Sequence, residues 1–428
     1  MAPPVPPIPT AGMRLSRSLR EFFETEAAGG IVLLVAAVVA LVWVNSPFRE
    51  SYDALWSTEL SLEVGGYGIE EDLRHWVNDA LMAVFFFVVG LEIKRELVTG
   101  ELRSWRRAAT PAIAALGGMV VPALLFVALN VGGPGSSGWG IPMATDIAFA
   151  LGVAALLGNR VPAGLKLFLL TLAIVDDIGA ILVIAVFYSS DVAPLALAAA
   201  AALLGGMGVL RAAKVTWMPA YVALGTAVWL AVFESGVHAT IAGVVLGLLA
   251  PARPVNPSSL AQEWARDLGV DPSPADIRQM TLLARTTTSV TERLELALHP
   301  WSSYVIVPIF ALANAGVVFE GDALAGPGAA RVAAGVALGL VVGKVVGVTA
   351  GAWLAVRLRV GALPDAVGWS HIVGAAALAG IGFTVSLFIA DLAFDDAGLQ
   401  AAAKVGILGA SLLASLLGAL LLTRARSA

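Results

Sequence analysis

The sequence predicts an all-α polytopic membrane protein with twelve transmembrane helices, on three observations. Of its 428 residues, 58% are hydrophobic and a further 45 are glycine. Only 13% are charged, about half the share that is usual in soluble domains. The net charge of −5 offers no basic surface for a polyanion. This composition disfavours a soluble enzyme, a nucleic-acid binder and a disordered scaffold, and zero cysteines exclude disulfides and cysteine-based metal or redox sites.

Twelve runs of the chain are long and apolar enough to be spans, since a span needs about 20 mostly apolar residues. They lie at 27–46, 75–98, 108–130, 140–158, 163–188, 193–210, 217–233, 236–251, 299–318, 329–357, 366–391 and 398–424. We expect the first run to be a span rather than a cleaved signal peptide. It is too long, it follows a proline-rich start, and no small-residue cleavage motif closes it.

The basic residues alternate between successive connections, which predicts the orientation of the bundle. Most of the 26 lysines and arginines fall in one set of connections and at the two termini, and the alternate connections are acidic or uncharged. We assign Asp391, Asp395 and Asp396 to one of these acidic connections. The unbroken alternation supports twelve spans and predicts that both termini are cytoplasmic.

Two connections are more than turns. Residues 57–71 read as two alternating strands around a Gly-Gly pair, which predicts a short extracytoplasmic β-hairpin. Residues 252–298 form a polar cytoplasmic loop with one or two amphipathic helices, such as the segment SLAQEWARDL. A plain linker and a regulatory element are both open for this loop.

Two neighbouring acids occupy the fifth span, where ionised side chains are costly and usually functional. Asp176 lies ten residues after Lys166, which marks the cytoplasmic boundary, so it is roughly 15 Å into the membrane. Adjacent helical positions point about 100° apart. One of Asp176 and Asp177 can therefore coordinate an ion while the other meets a different helix. A purely structural polar contact is the alternative.

A lysine lies in the middle of the tenth span. Lys344 is 13 residues from both Arg331 and Arg357, which mark the span ends. Its side chain cannot reach either interface, so it must be buried against an acid. The Asp176–Asp177 pair is the obvious partner, and a structural bridge to one aspartate is the simpler alternative.

Two spans are interrupted. Gly140 and Pro142 break the fourth span just before Thr145 and Asp146, which are residue types that cap a helix N-terminus. Simple capping is the alternative to a functional role there.

The eleventh span is interrupted near its middle by Gly380, Gly382 and Thr384. Broken helices at membrane depth occur where backbone is buried in protein or lines a wet cavity. The fourth and eleventh spans are the middle members of two triplets, spans 3–5 and 10–12, which run in opposite directions. Interruptions at matching positions of inverted repeats mark the ion site of a transporter.

The chain resembles the NhaA-type sodium/proton antiporters over essentially its whole length. The matching stretches are NDALMAVFFFVVGLEIKREL (78–97), ATDIAFALG (144–152), LAIVDDIGAI (172–181), SGVHATIAGV (235–244), LHPWSSYVIVPIFALANAG (298–316) and GIGFTVSLFIA (380–390). Six motifs in the same order, together with the topology, make the resemblance specific.

The resemblance implies a site and a mechanism. Asp177 matches the carboxylate that binds Na⁺ or Li⁺ and, alternately, a proton. Asp176 matches its neighbour, which pairs with the lysine matched by Lys344, and Thr145 is a further possible ligand. Thr145, Asp146, Gly380, Gly382 and Thr384 mark the place where the two broken helices cross at the midplane.

The resemblance also implies regulation and assembly. The residues that match a cluster linked to the pH response are Glu92, Arg95, Glu96, His238, Glu295 and His299. His238 has a simpler reading as a cap at the start of the eighth span. The hairpin at 57–71 matches a homodimer contact. Leu296 departs from the best-known branch, which has a histidine there, and the 252–298 loop is longer. The pH profile therefore does not carry over.

The expected function is electrogenic, pH-regulated export of Na⁺ or Li⁺ in exchange for H⁺, by alternating access at the aspartate pair. This is a secondary transporter in the bacterial inner membrane, with no enzyme activity, no cofactor, and contacts to lipid but not to nucleic acid. Two rivals remain: an intramembrane aspartyl protease with Asp146 and Asp177 as its dyad, and a symporter of an organic anion on the same plan.

The expected domain organisation has one membrane domain between two short tails. The tails are 1–26 and 425–428, and the membrane domain is 27–424. The ion-site core is about 108–188 and 329–424, and the interface part is about 27–98 and 193–318.

Overall fold

The helices follow the apolar runs of the sequence. The computed structural model describes residues 11–64, 67–189, 192–213, 217–254, 273, 287–318 and 324–425. The helices in chain order are α1 (Ala11–Val44), α2 (Arg49–Trp56), α3 (Leu73–Val98), α4 (Trp105–Asn130), α5 (Ile147–Leu156), α6 (Ala163–Phe187), α7 (Pro194–Ala212), α8 (Met218–Phe233), α9 (Thr240–Leu249), α10 (Val290–Asn314), α11 (Ala329–Arg357), α12 (Trp369–Leu378), α13 (Phe383–Ala393) and α14 (Ala397–Arg424).

Single π-helical turns occur within three of the long helices. They lie at Val77–Leu81 in α3, at Ser302–Ile306 in α10 and at Gly339–Gly343 in α11. A 3₁₀ segment, Ser136–Met143, precedes α5. Extra turns of this kind often lie near functional positions. Here two of them flank the candidate site described below.

Length and composition make this a polytopic membrane protein, as predicted. Among the described residues, eight helical segments could cross a membrane, or up to ten if each of two bent pairs is one span. One pair joins Ala28–Val44 to α2 at 117°, and the other joins α12 to α13 at 48°. The shorter apolar helices are Pro219–Phe233 and Thr240–Leu249.

The predicted hairpin is present as β1 (Glu59–Val64) and β2 (Tyr67–Asp72), which pair antiparallel with Glu59 opposite Asp72. The Asp72 carboxylate caps α3 by accepting a 2.8 Å hydrogen bond from the amide of His75. The indole of Trp76 donates to the carbonyl of Leu60 at 2.9 Å. These two bonds fix the hairpin at the start of α3.

Two sequence assignments change in the structure. Asp391 does not belong to a connection: it lies in the last turn of the 11-residue helix α13, because the helix continues past the apolar run to Ala393. Helix α1 begins at Ala11, ahead of the apolar part of this helix, Ala28–Val44, that could lie in the membrane. Most of the 252–298 loop, including the predicted amphipathic segment, lies outside the described residues.

Helices α4 and α11 pack closely against each other, and glycines make that approach possible. A Cβ atom on Gly347 would lie 2.1 Å from the carbonyl oxygen of Gly117, and a Cβ atom on Gly351 would lie 2.4 Å from that of Ile113. Without side chains at these positions the two backbones pack directly. The contact holds α11, and therefore Lys344, against α4.

We predict that Gly347→Val destabilises the protein by about 1–3 kcal/mol, because the added side chain must push the two backbones apart. The readout is the apparent melting temperature in detergent, which should fall by several degrees. The matched control is Gly206→Val in α7, where no other atom lies within 4 Å of an added Cβ. Equal effects of the two substitutions would contradict the packing argument.

Candidate functional site

The two interrupted helices cross at their breaks. Residues 144–146 are extended between the 3₁₀ segment and α5, and residues 379–382 separate α12 from α13. The amide of Asp146 donates to the carbonyl of Ile381 at 2.6 Å. The hydroxyl of Ser386 donates to the carbonyl of Ile141 at 2.8 Å. Backbone groups freed by each break are therefore satisfied by the other break.

One carboxylate serves the first turns of two helices. Asp146 Oδ1 accepts from the amide of Phe149 at 3.0 Å, and this caps α5. Asp146 Oδ2 accepts from the amide and the hydroxyl of Thr384, at 3.1 and 2.6 Å, in the first turn of α13. The positive ends of α5 and α13 thus face a single buried negative charge.

Glycines at the second break allow close contact with α11. A Cβ atom on Gly380 would lie 2.3 Å from the carbonyl oxygen of Leu340, in the π-helical turn of α11. A Cβ atom on Gly382 would lie 2.2 Å from Ser386 Oγ. The break therefore packs against the helix that carries Lys344.

A buried ion pair connects α6 to α11. Lys344 Nζ lies 2.5 Å from Asp176 Oδ2, and both side chains are 0% exposed. The hydroxyl of Thr145 lies 2.7 Å from the same carboxylate oxygen and 3.0 Å from Lys344 Nζ. It also lies 2.8 Å from the carbonyl oxygen of Ala379. The two breaks and the ion pair therefore form one polar centre inside an apolar bundle.

Asp177 faces away from that ion pair and lines a cavity of about 50 Å³. The cavity walls also include Glu92, His299 and Thr384. A site needs roughly 10–15 Å³ to hold one water, so this cavity accommodates several waters or a partly hydrated ion. Asp177 Oδ1 is buried and has no hydrogen-bond partner among the described residues. Asp176 thus pairs with Lys344, and Asp177 lines the cavity.

Five of the six residues matched to a pH response lie close together where α3 meets α10. Arg95 pairs with Glu295 across the two helices and lies 3.4 Å from Glu96. His299 Nε2 lies 3.8 Å from Glu92 Oε1. Both of these last residues reach the Asp177 cavity.

His238 lies apart from this cluster. Its Nε2 is 2.7 Å from the carbonyl oxygen of Tyr188, just before α9. Leu296 is 73% exposed on α10 and so faces away from the cluster. A histidine at that position would not join these contacts without a change in the helix.

The sequence did not single out three further residues at the site. Ser386 joins the two breaks, and its only sequence signal is its position two residues after Thr384. Ser302 and Ser303 line the Asp177 cavity from the π-helical turn of α10. No group of three or more His, Asp or Glu side chains in the described part of the chain is arranged to hold a resident metal.

Comparison with known proteins identifies the family. A family model described as Na⁺/H⁺ antiporter 1 matches residues 20–422. The chain belongs to this antiporter family. It is therefore a membrane transporter rather than an enzyme, which agrees with its apolar spans.

Several relatives are similar over nearly the whole chain. One is the Na⁺/H⁺ antiporter NhaA 3 of Frankia alni, which is 47% identical over 97% of this chain and 92% of its own length. The Na⁺/H⁺ antiporter NhaA of Rhodopirellula baltica is 45% identical over 95% of this chain and 93% of its own length. The Na⁺/H⁺ antiporter NhaA of an Acidovorax species is 47% identical over 97% of this chain and 94% of its own length. The resemblance to the NhaA type is thereby confirmed.

Breaking the buried pair from one side should be costly. We predict that Lys344→Met lowers the free energy of unfolding by about 3–5 kcal/mol, because it leaves the Asp176 charge buried and unpaired. The double variant Asp176→Asn with Lys344→Met should recover most of that loss in a thermal unfolding assay in detergent.

The control is the Glu101–Arg107 pair, in which the side chains are 24% and 72% exposed. Removing either partner there should cost at most about 1 kcal/mol. A Lys344→Met variant as stable as the wild type would show that the Asp176 charge is not buried as described.

Proposed function

We propose that this antiporter exports Na⁺, and also Li⁺, in exchange for a larger number of protons, by alternating access. The family membership supports Na⁺ and H⁺ as substrates. The finer proposal assigns the exchange to Asp177, with Asp176 and Lys344 as its neighbours. The observation that carries it is the buried Oδ1 of Asp177 at the wall of a cavity, which has no hydrogen-bond partner in the part of the chain that the structure describes.

Competition for one carboxylate accounts for exchange. Na⁺ is a hard cation that prefers oxygen ligands. The oxygens of Asp177 at the cavity wall are available to it, and Asp176 Oδ1 also has no partner among the described residues. Asp176 Oδ2 and Thr145 Oγ1, in contrast, are engaged with Lys344. A proton on Asp177 removes the charge that binds Na⁺, so Na⁺ and H⁺ cannot bind to Asp177 at the same time. If only loaded forms reorient, an inward proton gradient drives Na⁺ outward.

The crossing of the two broken helices is compatible with a site that opens alternately to the two sides of the membrane. Asp146 balances two helix ends that would otherwise face each other as like charges. A rearrangement of α5 and α13 against their neighbours can then proceed without exposing an unpaired helix end. Both oxygens of Asp146 are engaged in this way, which speaks against Asp146 and Asp177 sharing a proton as a protease dyad.

Electrogenic exchange needs a second proton carrier. The proposal gives this role to Lys344 or to Asp176, since these two titratable groups form a direct ion pair beside Asp177. A cation that reaches Asp176 Oδ1 would compete with Lys344 for the same carboxylate. Loss of a proton from Lys344 would relieve that competition.

The membrane arrangement proposed here has twelve spans. It counts the eight long segments, the two bent pairs, and the helices Pro219–Phe233 and Thr240–Leu249. Both termini are cytoplasmic, the membrane is the bacterial inner membrane, and the hairpin is extracytoplasmic. The core of about 108–188 and 329–424 carries the ion site. The hairpin joins two copies, since Leu60 and Leu62 are exposed on it.

We predict that Asp177→Asn abolishes Na⁺-dependent proton release, because an amide neither binds a proton at neutral pH nor carries the charge that holds Na⁺. The assay is dissipation of a pH gradient in everted vesicles after addition of Na⁺ or Li⁺, with K⁺ as the ion control. Asp365→Asn, at an exposed position near the basic end of the bundle, is the matched variant and should retain full activity. Near-normal exchange by Asp177→Asn would end the assignment.

The cluster of Glu92, Arg95, Glu96, Glu295 and His299 is proposed to set the pH response. Three of its members are acids, and two of its members reach the Asp177 cavity. A change of protonation there therefore alters the potential along the route to the ion site. His238 is not part of this cluster, and the proposal for it is limited to its contact with Tyr188.

We predict that Glu295→Gln lowers the pH of half-maximal activity by about one unit, because one negative charge fewer lets the remaining acids and His299 lose protons more easily. The measurement is the vesicle assay scanned over pH. Glu292→Gln, one turn earlier on α10, keeps the capping interaction with Ser289 and should shift the profile much less, because the charge of Glu292 acts on this cluster more weakly than that of Glu295. An unshifted profile in Glu295→Gln would remove this cluster from the pH response.

A further inference from the structure

A second buried ion pair lies between α13 and α14, away from the site described above. Lys404 Nζ is 2.9 Å from Asp391 Oδ1, and the side chains are only 11% and 13% exposed. Asp391 follows Thr384 by seven residues, which is two turns, or about 10 Å, along the same face of α13. Asp391 therefore lies beyond the ion site, toward the end of the bundle where the acidic connections between spans lie.

The surroundings of Asp391 include groups from three other helices. Asp391 and Asn314 each follow, by about one turn, a phenylalanine of a contacting pair, Phe388 and Phe310, and Asn314 Nδ2 donates to Asn78 Oδ1 at 2.7 Å, one turn after Arg74 on α3. Tyr52 of α2 approaches the same part of α10 through its hydroxyl. That hydroxyl is 2.9 Å from the carbonyl oxygens of Leu312 and Ala313, which directly precede Asn314. We call Tyr52, Arg74, Asn314, Asp391 and Lys404 the outer cluster.

Several buried polar atoms in the outer cluster have no partner among the described residues. They are Arg74 Nε on α3, Asn314 Oδ1 on α10 and Asp391 Oδ2 on α13. Buried polar atoms are normally satisfied by protein, water or an ion. Ionisable residues at membrane depth usually line ion pathways. Three helices that each carry such an atom at the same end of the bundle therefore indicate a route for an ion.

Aromatic side chains separate this region from the Asp177 cavity. The ring of Phe388 on α13 lies 5.5 Å from that of Phe86 on α3 and 6.3 Å from that of Phe310 on α10. On α3, α10 and α13, the phenylalanine lies between a residue that lines the Asp177 cavity and a polar residue of the outer cluster. In the described state these rings therefore close the Asp177 cavity off from the outer cluster.

We propose that the outer cluster lines the outer half of the ion path, and that Asp391 and Lys404 set the potential that Na⁺ meets there. The inference rests on the proposed antiport and on its orientation. A neutral pair lets the cation pass without trapping it. The carboxylate alone would attract Na⁺, and the ammonium alone would repel it.

The sign of the charge provides the test. Lys404→Met should lower the half-saturating Na⁺ concentration on the outer side about fivefold, and Asp391→Asn should raise it about fivefold, because a unit charge acts strongly across a poorly hydrated path. The inner-side value should not change in either variant. Right-side-out and everted vesicles from one host supply the two measurements.

The double variant Asp391→Asn with Lys404→Met restores neutrality and should return the outer-side value close to that of the wild type. Glu101→Gln and Arg107→Gln remove the two charges of the pair at the opposite end, and should leave the outer-side value unchanged. Shifts in the same direction for Asp391→Asn and Lys404→Met, on both sides, would indicate a purely structural pair and overturn the inference.

A second measurement does not depend on stable single-charge variants. The chain has no cysteine, so Asn314→Cys introduces the only thiol. A membrane-impermeant thiol reagent should modify it from the outer side during turnover, and not from the inner side. Lack of outer-side modification would overturn the inference. A wild type that shows no Na⁺-dependent exchange would instead contradict the proposed function itself.

Discussion

The Asp146 carboxylate accepts hydrogen bonds from the first turns of α5 and α13, and the crossing of the two broken helices depends on it. Each helix start has unpaired amides and a partial positive charge. In an apolar bundle these two ends would repel each other and remain unsatisfied. A single buried acid accepts hydrogen bonds from both helix starts. Broken helices that would be unstable in contact with lipid therefore form a stable polar centre inside the protein.

The rest of the site is arranged around that centre. Thr145, adjacent to Asp146, brings its hydroxyl to the Asp176–Lys344 pair and to the carbonyl of Ala379. Glycines on α4 and α11 let the lysine-bearing helix approach closely. The ion pair satisfies one aspartate and leaves the other for the cavity. In the exchange that we propose, stability and transport are therefore coupled, because the ion pair that holds α11 in place lies next to Asp177.

Charge is distributed unevenly along the route through the bundle. At one end, three acids, an arginine and a histidine adjoin the cavity of Asp177. At the other end, the neutral Asp391–Lys404 pair and polar atoms without partners among the described residues lie behind a layer of phenylalanines. The acids near the Asp177 cavity favour cations, and in the proposed ion path the neutral Asp391–Lys404 pair does not retain them. This asymmetry suits the export that we propose, in which Na⁺ is taken up at the inner end and released at the outer end.

The sequence by itself determined the membrane class, the apolar runs, the hairpin and the family, because each depends on local composition or on motifs in order. It also pointed to Asp176, Asp177 and Lys344, because charges in apolar runs are costly wherever the chain folds. The residues alone left open which aspartate pairs with the lysine, and the resemblance implied Asp176. Only the tertiary structure brings the two side chains into contact, since that depends on the rotation of α6 against α11. It also moved Asp391 from a loop into a helix and gave it Lys404 as a partner. Contacts between residues far apart in the chain leave no periodic signal, so they emerge only when the helices pack.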